Sequence, residues 1–294
     1  KMEGLKTTIE NLKISDDAEA LEENLEEREQ ETLIVTSCTT DITALCTIFA
    51  GADVVALDLE GVDLGRLGRA SIVQLATEDR CVLLDVLNAD KDAPLMKWLR
   101  DMLEDGSITK VIHDCRMDSD ALLHEFGIGL DGVHDTACWH TAMTGRVNVN
   151  INSTLAHNGL GVNSHRDGSV YAANHAFWAT RPLTPEMVAW AKGDVSSMFN
   201  LYAAQRAAIT EKQFAKAKAQ SDKYLKWARE AEVTVITVNS PGRFIGRGGI
   251  NLRELQNSTN TLLYGCGPRS ERKFVVYYND EEGLARVRRA ARRY

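Results

Sequence analysis

An apolar run interrupted by two carboxylates, Val54-Val55-Ala56-Leu57-Asp58-Leu59-Glu60, most narrows the folds open to this chain. Its length and branched residues predict a buried strand, and hence a domain built around a sheet. Because side chains alternate across a strand, Asp58 and Glu60 share one face. Two ionised groups on a buried face are unfavourable unless they are paired or bind a metal ion. The pattern leaves both interpretations open, with Arg66 or Arg69 as the ion-pair partners.

The surrounding segments alternate between strand and helix patterns. Further strands are predicted at 71–76, 81–86 and 110–113, and helices at 93–103, 118–126 and 185–207. This order is typical of an α/β or α+β fold in which helices pack on a sheet. Residues 203–232 contain no Gly or Pro and are rich in Ala, Lys, Gln and Glu, which predicts one long helix joining two domains.

Charge is distributed unevenly along the chain. Residues 1–32 and 33–220 each carry a balance of −7, whereas residues 221–294 carry +6. A basic end on an acidic chain indicates nucleic-acid contact, although a solvated basic helix is the simpler interpretation. The acidic segment 1–31 is predicted to be solvated or loosely docked, and a protein partner is one expectation for it.

Cysteine content and hydropathy indicate the cellular setting. The six cysteines form no C-x-x-C pair, and no run approaches the eighteen or so apolar residues of a membrane-spanning helix. These features are typical of a protein of a reducing intracellular compartment that has no membrane partner. The first residue is Lys, which is compatible with removal of an upstream targeting segment.

Three segments together resemble the motifs of the DEDD superfamily of 3′–5′ exonucleases, in its RNase D-like branch. They are ALDLEGVDLGRLGRASIVQLAT within 54–77, VIHDCRMDSDALLHEFGI at 111–128 followed by VHDT at 133–136, and WATRPLTPEMVAWAKGDV at 178–195. The residues around the second and third of these motifs are similar to those of the Egalitarian and exonuclease-domain-containing-1 clade. The resemblance covers about 33–205 and implies an RNase H-like mixed sheet flanked by helices. It also implies that Asp58, Glu60, Asp118 and Asp194 are catalytic metal ligands.

The implied chemistry is hydrolysis of phosphodiesters from the 3′ end. Two divalent ions, Mg²⁺ or Mn²⁺, would activate water and neutralise charge on the phosphate, and hard oxygen ligands suit both ions. Arg66 and Arg69 are predicted phosphate contacts beside this site. The tyrosine form of the family has Tyr-x-x-x-Asp at the third motif, whereas this chain has Trp190 before Asp194. Indole is a donor only, and loss of a general base typically lowers the rate about 10²–10⁴-fold.

A glycine-rich turn dominates the C-terminal segment. Ile245-Gly246-Arg247-Gly248-Gly249-Ile250-Asn251-Leu252 matches the I-G-x-x-G-x-x-L core of type I KH domains, and 233–291 resembles that family in its predicted β-α-α-β-β-α order. The resemblance implies that this turn clamps about four nucleotides of a single strand. The predicted nucleic-acid contacts are Arg243, Ile245, Gly246, Arg247, Gly248, Gly249 and Ile250.

These patterns predict four parts: an acidic segment 1–31, an exonuclease domain 32–205, a connecting helix 206–232 and a KH domain 233–294. The predicted function is a 3′–5′ exoribonuclease acting on single-stranded RNA, with DNA as the alternative substrate. Because of Trp190, reduced activity is expected. The alternative hypothesis is an inactive pseudo-nuclease that serves as an RNA-binding adaptor or a ribonucleoprotein component.

Overall fold

The computed structural model describes residues 31–36, 41–147 and 149–294, so the acidic segment lies outside it except for Glu31. A six-stranded mixed sheet has the order β1-β4-β3-β2-β5-β6. Its strands are β1 (Glu31–Thr36), β2 (Val54–Val62), β3 (Arg69–Ala76), β4 (Arg80–Asp85), β5 (Thr109–Ile112) and β6 (Val133–Asp135). β2 pairs antiparallel with β3 and parallel with β5, which places it inside the sheet.

Helices flank this sheet, which confirms the predicted fold class. They are α1 (Thr43–Ile48), α2 (Pro94–Glu104), α3 (Arg116–Phe126), α4 (Thr136–Thr144), α5 (Ile151–His157), α6 (Val170–Ala173), α7 (Pro185–Ser196), α8 (Met198–Ala208) and α9 (Glu211–Glu230). Within the described ranges, each helix is too short or too polar to cross a bilayer. We call residues 32–230 the six-stranded unit.

Successive side chains of β2 point to opposite faces of the sheet, and each face has its own hydrophobic core. Val55, Leu57 and Leu59 pack in one core with residues of α2 and α3. Ala56 packs in the other core, which contains Trp190 of α7. Because side chains alternate, the even-numbered Asp58 and Glu60 point to the α7 side of the sheet. The predicted shared face of the two carboxylates is therefore the face covered by α7.

The prediction of one long helix over 203–232 is wrong, because the structure has two helices there. Ile209 has an extended ψ of 138°, and α9 begins after Thr210. The Thr210 hydroxyl accepts a bond from Gln213 N, and Gln213 Oε1 accepts one from Thr210 N, which is a capping box. This reciprocal cap satisfies amide groups that a continuous helix would have bonded internally, so it starts a new helix without Gly or Pro.

A second, three-stranded sheet forms the C-terminal unit, residues 232–294. Its order is β7-β9-β8, with both pairs antiparallel. Its elements are β7 (Glu232–Thr237), α10 (Pro241–Ile245), α11 (Ile250–Thr259), β8 (Leu262–Cys266), β9 (Lys273–Tyr278) and α12 (Glu281–Ala291). Helices α10 to α12 cover one face, where Phe244, Val276 and Leu284 form a core. The unit therefore has the element order read from the sequence.

The other face of the small sheet packs on the six-stranded unit. Val275 and Tyr277 of β9 are buried against Trp227 of α9, with Met117 of α3 beside them. Residues Thr32–Tyr294 form one compact body. Since α9 also packs along α3 and α4, it is part of the six-stranded unit and not a free connecting arm.

Candidate active site

Three carboxylates meet on the α7 side of β2. Asp58 and Glu60 come from the strand and Asp194 from α7, and they offer oxygen atoms that lie within 4.8 Å of one another. Asp58 and Glu60 are half-buried, whereas Asp194 is buried. Three of the four predicted metal ligands are thus brought together, although Asp194 is more than 130 residues from the other two in the sequence. Carboxylate oxygens at this spacing suit a hard divalent cation.

The fourth predicted ligand, Asp118, lies beside this group and not within it. It is buried in the first turn of α3, and its Oδ1 accepts a hydrogen bond of 3.0 Å from Leu59 N. Burial and the Asp58 carboxylate raise the pKa of Asp118 well above its usual range. The contact links α3 to the strand residue between Asp58 and Glu60.

Burial and mutual repulsion make the group electrostatically unfavourable on its own. Burial and the Asp194 carboxylate raise the pKa of Asp58 to about 8. Burial and the Asp58 carboxylate raise the pKa of Glu60 well above its usual range. Like charges in a poorly solvated site oppose each other's ionisation, and a bound dication would reverse that preference. The donor set therefore fits a metal ion.

Neither arginine expected as an ion-pair partner reaches these carboxylates. Instead Arg166, from the segment between α5 and α6, donates from Nη1 to Oδ2 of Asp194 at 2.7 Å. Asn163 of the same segment donates to Oδ1 of Asp194 at 2.8 Å. Burial raises the pKa of Asp194, and the Arg166 and Asn163 donors oppose that rise.

Sequence reasoning missed Asn163 and Arg166. They belong to the stretch 158–169, which is rich in Gly, Asn and Ser and has no periodic pattern. The structure holds this stretch in place through α5, since the Asn152 side chain exchanges hydrogen bonds with the backbone of Asn163. Gly193 of α7 allows the approach, because a Cβ there would lie 2.5 Å from Cγ of Asn163. The only signal for these two residues in the sequence was their residue type, since Asn and Arg side chains can donate hydrogen bonds to a carboxylate.

Trp190 lies at the position where the family resemblance expects a tyrosine. Its Nε1 donates to Oδ2 of Asp194 at 2.9 Å, and its ring packs near Trp178 and Phe177. The indole thus orients the carboxylate. Arg166 also lies over the Trp190 ring, with 5.5 Å between its guanidinium carbon and the ring centroid.

A histidine also lies in the cavity with the carboxylates. His113 lines the cavity, and its ring nitrogens contact Thr136 Oγ1 and Val149 O, each at 2.8 Å. Burial lowers the pKa of His113. Because of its contacts with Thr136 and Val149, both ring nitrogens of His113 are engaged by the protein. His175 instead contacts Asp63 at 3.0 Å.

The cavity over the carboxylates is closed on one side by the C-terminal unit. It has a volume of about 410 Å³. Asp58, Glu60 and Arg166 line it from the six-stranded unit, and Leu252, Gln256, Leu263 and Tyr264 line it from α11 and β8. The helix that follows the glycine-rich turn is therefore a wall of the carboxylate site.

A larger cavity of about 730 Å³ adjoins the first one, and Glu60 and Leu252 line both. Its C-terminal side is formed by α10, α11, β8, the connection from β8 to β9 and the start of β9, where Pro241, Ile245 and Phe274 contribute apolar surface. Its other side includes Leu64 of the six-stranded unit. The two cavities therefore meet at Glu60 and Leu252, between the two units.

The glycine-rich turn has the backbone that its sequence requires. Gly246, Gly248 and Gly249 have φ angles of 77°, 60° and 76°, a region that favours glycine. Arg243, Arg247 and Ile250 are exposed around it, and Ile245 is half-buried. The predicted nucleic-acid contacts of the C-terminal unit therefore lie together at one end of α11.

The prediction that Arg66 contacts phosphate conflicts with its surroundings. Its guanidinium donates to Asp120 Oδ1 at 2.7 and 2.9 Å and to the carbonyl oxygens of Ala228 and Ala231. Its guanidinium carbon lies 5.3 Å from the Tyr277 ring centroid. Arg66 instead joins the six-stranded and C-terminal units. Arg69 is exposed at the start of β3 and donates to Asn88 Oδ1, away from the carboxylates.

Comparison with known proteins agrees with this geometry. The chain is 41% identical over 83 residues to the piRNA biogenesis protein EXD1 of Mus musculus, which covers 28% of this chain and 14% of that protein. It is 26% identical over 177 residues to ribonuclease D of Nitrobacter hamburgensis, which covers 59% of this chain and 44% of that enzyme. The matched parts thus span less than half of these relatives.

A solved structure of Trypanosoma brucei RNase D in complex with RNA U12 superposes with a TM-score of 0.56 and 25% identity, over 68% of this chain and 71% of that one. The profile of the 3′–5′ exonuclease family matches residues 8–208, which is more than half of the chain. This protein therefore belongs to the 3′–5′ exonuclease family.

Proposed function

We propose that this protein is a 3′–5′ exoribonuclease that degrades single-stranded RNA by two-metal-ion hydrolysis, and that its C-terminal unit is a KH domain that captures the RNA. The observation that carries the proposal is the meeting of Asp58, Glu60 and Asp194 beside a cavity that Asp58, Glu60 and α11 line. The similarity to ribonuclease D, including one solved with RNA, supports RNA over DNA. The free cysteines support a reducing compartment.

Asp58, Glu60 and Asp194, with Asp118 adjacent, would hold two divalent cations, Mg²⁺ or Mn²⁺. Bound there, the cations supply an activated water and neutralise charge on the attacked phosphate. The protein's own groups fix the geometry: Asn163 and Trp190 orient the Asp194 carboxylate, and the Leu59 amide orients Asp118. Preorganised ligands of this kind need little rearrangement during the reaction.

The C-terminal unit contributes the capture step. Gly246, Gly248 and Gly249 let a sugar-phosphate backbone approach closely, and Arg243 and Arg247 add positive charge. Ile245, which precedes this turn, lines the same apolar cavity as Leu252 and Glu60. A strand held at the turn is thereby presented to the carboxylates at a high effective concentration.

A gel time course tests the cleavage step. It uses 5′-labelled single-stranded RNA and DNA of one sequence, with Mg²⁺, Mn²⁺ or EDTA. We expect a metal-dependent ladder that shortens from the 3′ end, is stronger on RNA, and is absent in Asp58→Asn. Asp101→Asn, on the exposed side of α2, is the matched control and should cleave like the wild type. If wild type and Asp58→Asn are equally inert at high protein concentration, the enzyme proposal fails.

Fluorescence anisotropy in EDTA tests capture without cleavage. The double variant Arg247→Asp/Gly248→Asp places two negative charges on the turn, and apart from the two chain neighbours, no heavy atom of the described residues would lie within 4 Å of a Cβ at position 248. We expect at least a ten-fold loss of RNA affinity. Gly145→Asp, also at an open glycine with positive φ, should bind like the wild type. Equal affinity of all three proteins would contradict a role of the turn in capture. An inert protein that still binds RNA would support the adaptor hypothesis.

A further inference from the structure

Three protein donors already bind the Asp194 carboxylate, and two of them share one oxygen. Its Oδ1 accepts from Asn163, and its Oδ2 accepts from both Arg166 and Trp190, at 2.7 and 2.9 Å. A carboxylate oxygen has about two lone-pair sites for such bonds. A metal ion at Oδ2 therefore requires one of these two donors to leave.

The two donors differ in how freely they can move. The Trp190 side chain is 3% exposed and packs near Trp178 in the core. The Arg166 side chain is 33% exposed and comes from a connecting segment. Arg166 is therefore the donor that can leave, and it can do so without opening the core.

The charges around the cavity also single out Arg166. Arg116 also lines the cavity, but it pairs with Asp114 and lies between the rings of Tyr224 and Tyr264. Arg166 faces the carboxylates, and its positive charge interacts favourably with Asp194, Asp58 and Glu60. A guanidinium there offsets part of the repulsion among the carboxylates, and it repels an incoming dication.

We propose that Arg166 is an internal counter-ion that competes with divalent cations for Oδ2 of Asp194, so that a cation binds this oxygen only when the guanidinium leaves it. The inference rests on the proposed metal-binding role of the same site. Asn163 and Trp190 keep the carboxylate oriented while Arg166 exchanges with the metal. The guanidinium therefore sets the cation concentration at which the site assembles.

Calorimetric titration of the metal-free protein with MnCl₂, without RNA, tests this competition. Arg166→Gln removes the charge, and we expect it to bind Mn²⁺ at least ten-fold more tightly than the wild type. Arg166→Lys keeps a positive charge, so it should bind more weakly than Arg166→Gln. Arg146→Gln is the matched control, because Arg146 is exposed and lies outside the lining of this cavity in the described part of the chain. It should bind like the wild type.

Thermal unfolding with and without Mn²⁺ checks that each variant is folded, and it supplies a second readout. We expect Mn²⁺ to raise the melting temperature of Arg166→Gln more than that of the wild type, because a ligand stabilises the state that binds it. Arg166→Met keeps an apolar stem over Trp190 and replaces Arg166→Gln if the latter does not fold. Tighter binding by either variant supports the proposal.

Equal or weaker Mn²⁺ binding by a folded Arg166→Gln or Arg166→Met overturns the competition while leaving the proposed function intact. If none of the proteins binds Mn²⁺, both the competition and the metal-dependent function are wrong. If the wild type cleaves RNA although its Mn²⁺ affinity equals that of Arg166→Gln, the competition alone is overturned.

Discussion

Nε1 of Trp190 donates a hydrogen bond of 2.9 Å to Oδ2 of Asp194, one helical turn further along α7. The indole nitrogen is a donor with no acceptor capacity, so it can orient the carboxylate but cannot take a proton from water. The resemblance to the exonuclease family places a tyrosine hydroxyl at this position. At this position of α7, the side chain therefore keeps the orientation of the Asp194 carboxylate but lacks a hydrogen-bond acceptor.

We expect Trp190→Tyr to raise the single-turnover rate of RNA cleavage at least ten-fold, because it restores a hydroxyl near the carboxylates. General acid–base groups contribute about 10²–10⁴-fold, and imperfect placement reduces the gain. Trp190→Phe is the matched control, since it frees the same space without a hydroxyl. An equal gain in both variants would show that release of Asp194, and not the hydroxyl, limits the rate.

Arg66 and Asp120 form an ion pair within the six-stranded unit, where Tyr277 of the C-terminal unit contacts both residues, and Asp120 is 1% exposed. Arg66→Met leaves this carboxylate buried without its cation, so we expect the free energy of unfolding to fall by about 3–5 kcal/mol in urea titrations. Adding Asp120→Asn removes the buried charge and should recover part of the loss. Arg69→Met, at an exposed position, should stay within about 0.5 kcal/mol of the wild type. A similar small effect of Arg66→Met would contradict the structural role.

Two glycines of the turn should differ in their tolerance of alanine. Gly246 has φ 77° and ψ 168°, a backbone region essentially restricted to glycine, and a Cβ there would lie 2.6 Å from Cγ of Asn251. Gly248 has φ 60° and ψ 21°, with open space around a Cβ. We expect Gly248→Ala to lower the free energy of unfolding by about 1 kcal/mol and Gly246→Ala by clearly more. Equal losses in urea titrations would disprove the difference.

His134 should make the protein sensitive to acid. Its ring is 4% exposed, lies 3.9 Å from Trp139 and contacts Gln205, and burial lowers its pKa from 6.5 to about 4. Between these pH values the unfolded chain binds the proton and the folded protein does not, so stability falls as the pH drops from about 6.5 to about 4.

We therefore expect the wild type to lose about 2–3 kcal/mol more than His134→Gln over that range, since one pKa unit corresponds to about 1.4 kcal/mol. Urea titrations at several pH values measure the difference. His165→Gln, at an exposed position, controls for removal of a histidine. Parallel stability curves for wild type and His134→Gln would contradict the prediction.

Local pattern was sufficient for much of the fold. The alternation in Val54–Glu60 predicted both the strand and the shared face of Asp58 and Glu60, because the period of a strand depends on covalent geometry alone. The order of elements in the C-terminal unit followed from turn residues and apolar runs. Local pattern failed at Thr210, since a capping box began a new helix where composition favoured a continuous one.

Sequence pattern was enough to predict the mixed sheet with its flanking helices and the two carboxylates of β2, and the motif resemblance predicted that Asp194 belongs with them. The pairing of each arginine with its carboxylate depends on the packing of the chain: Arg166 pairs with Asp194, and Arg66 pairs with Asp120. The reason is physical. Strand and helix periods act over a few residues, whereas an ion pair across a buried site depends on how distant segments pack, and the stretch that carries Asn163 and Arg166 has no period to read.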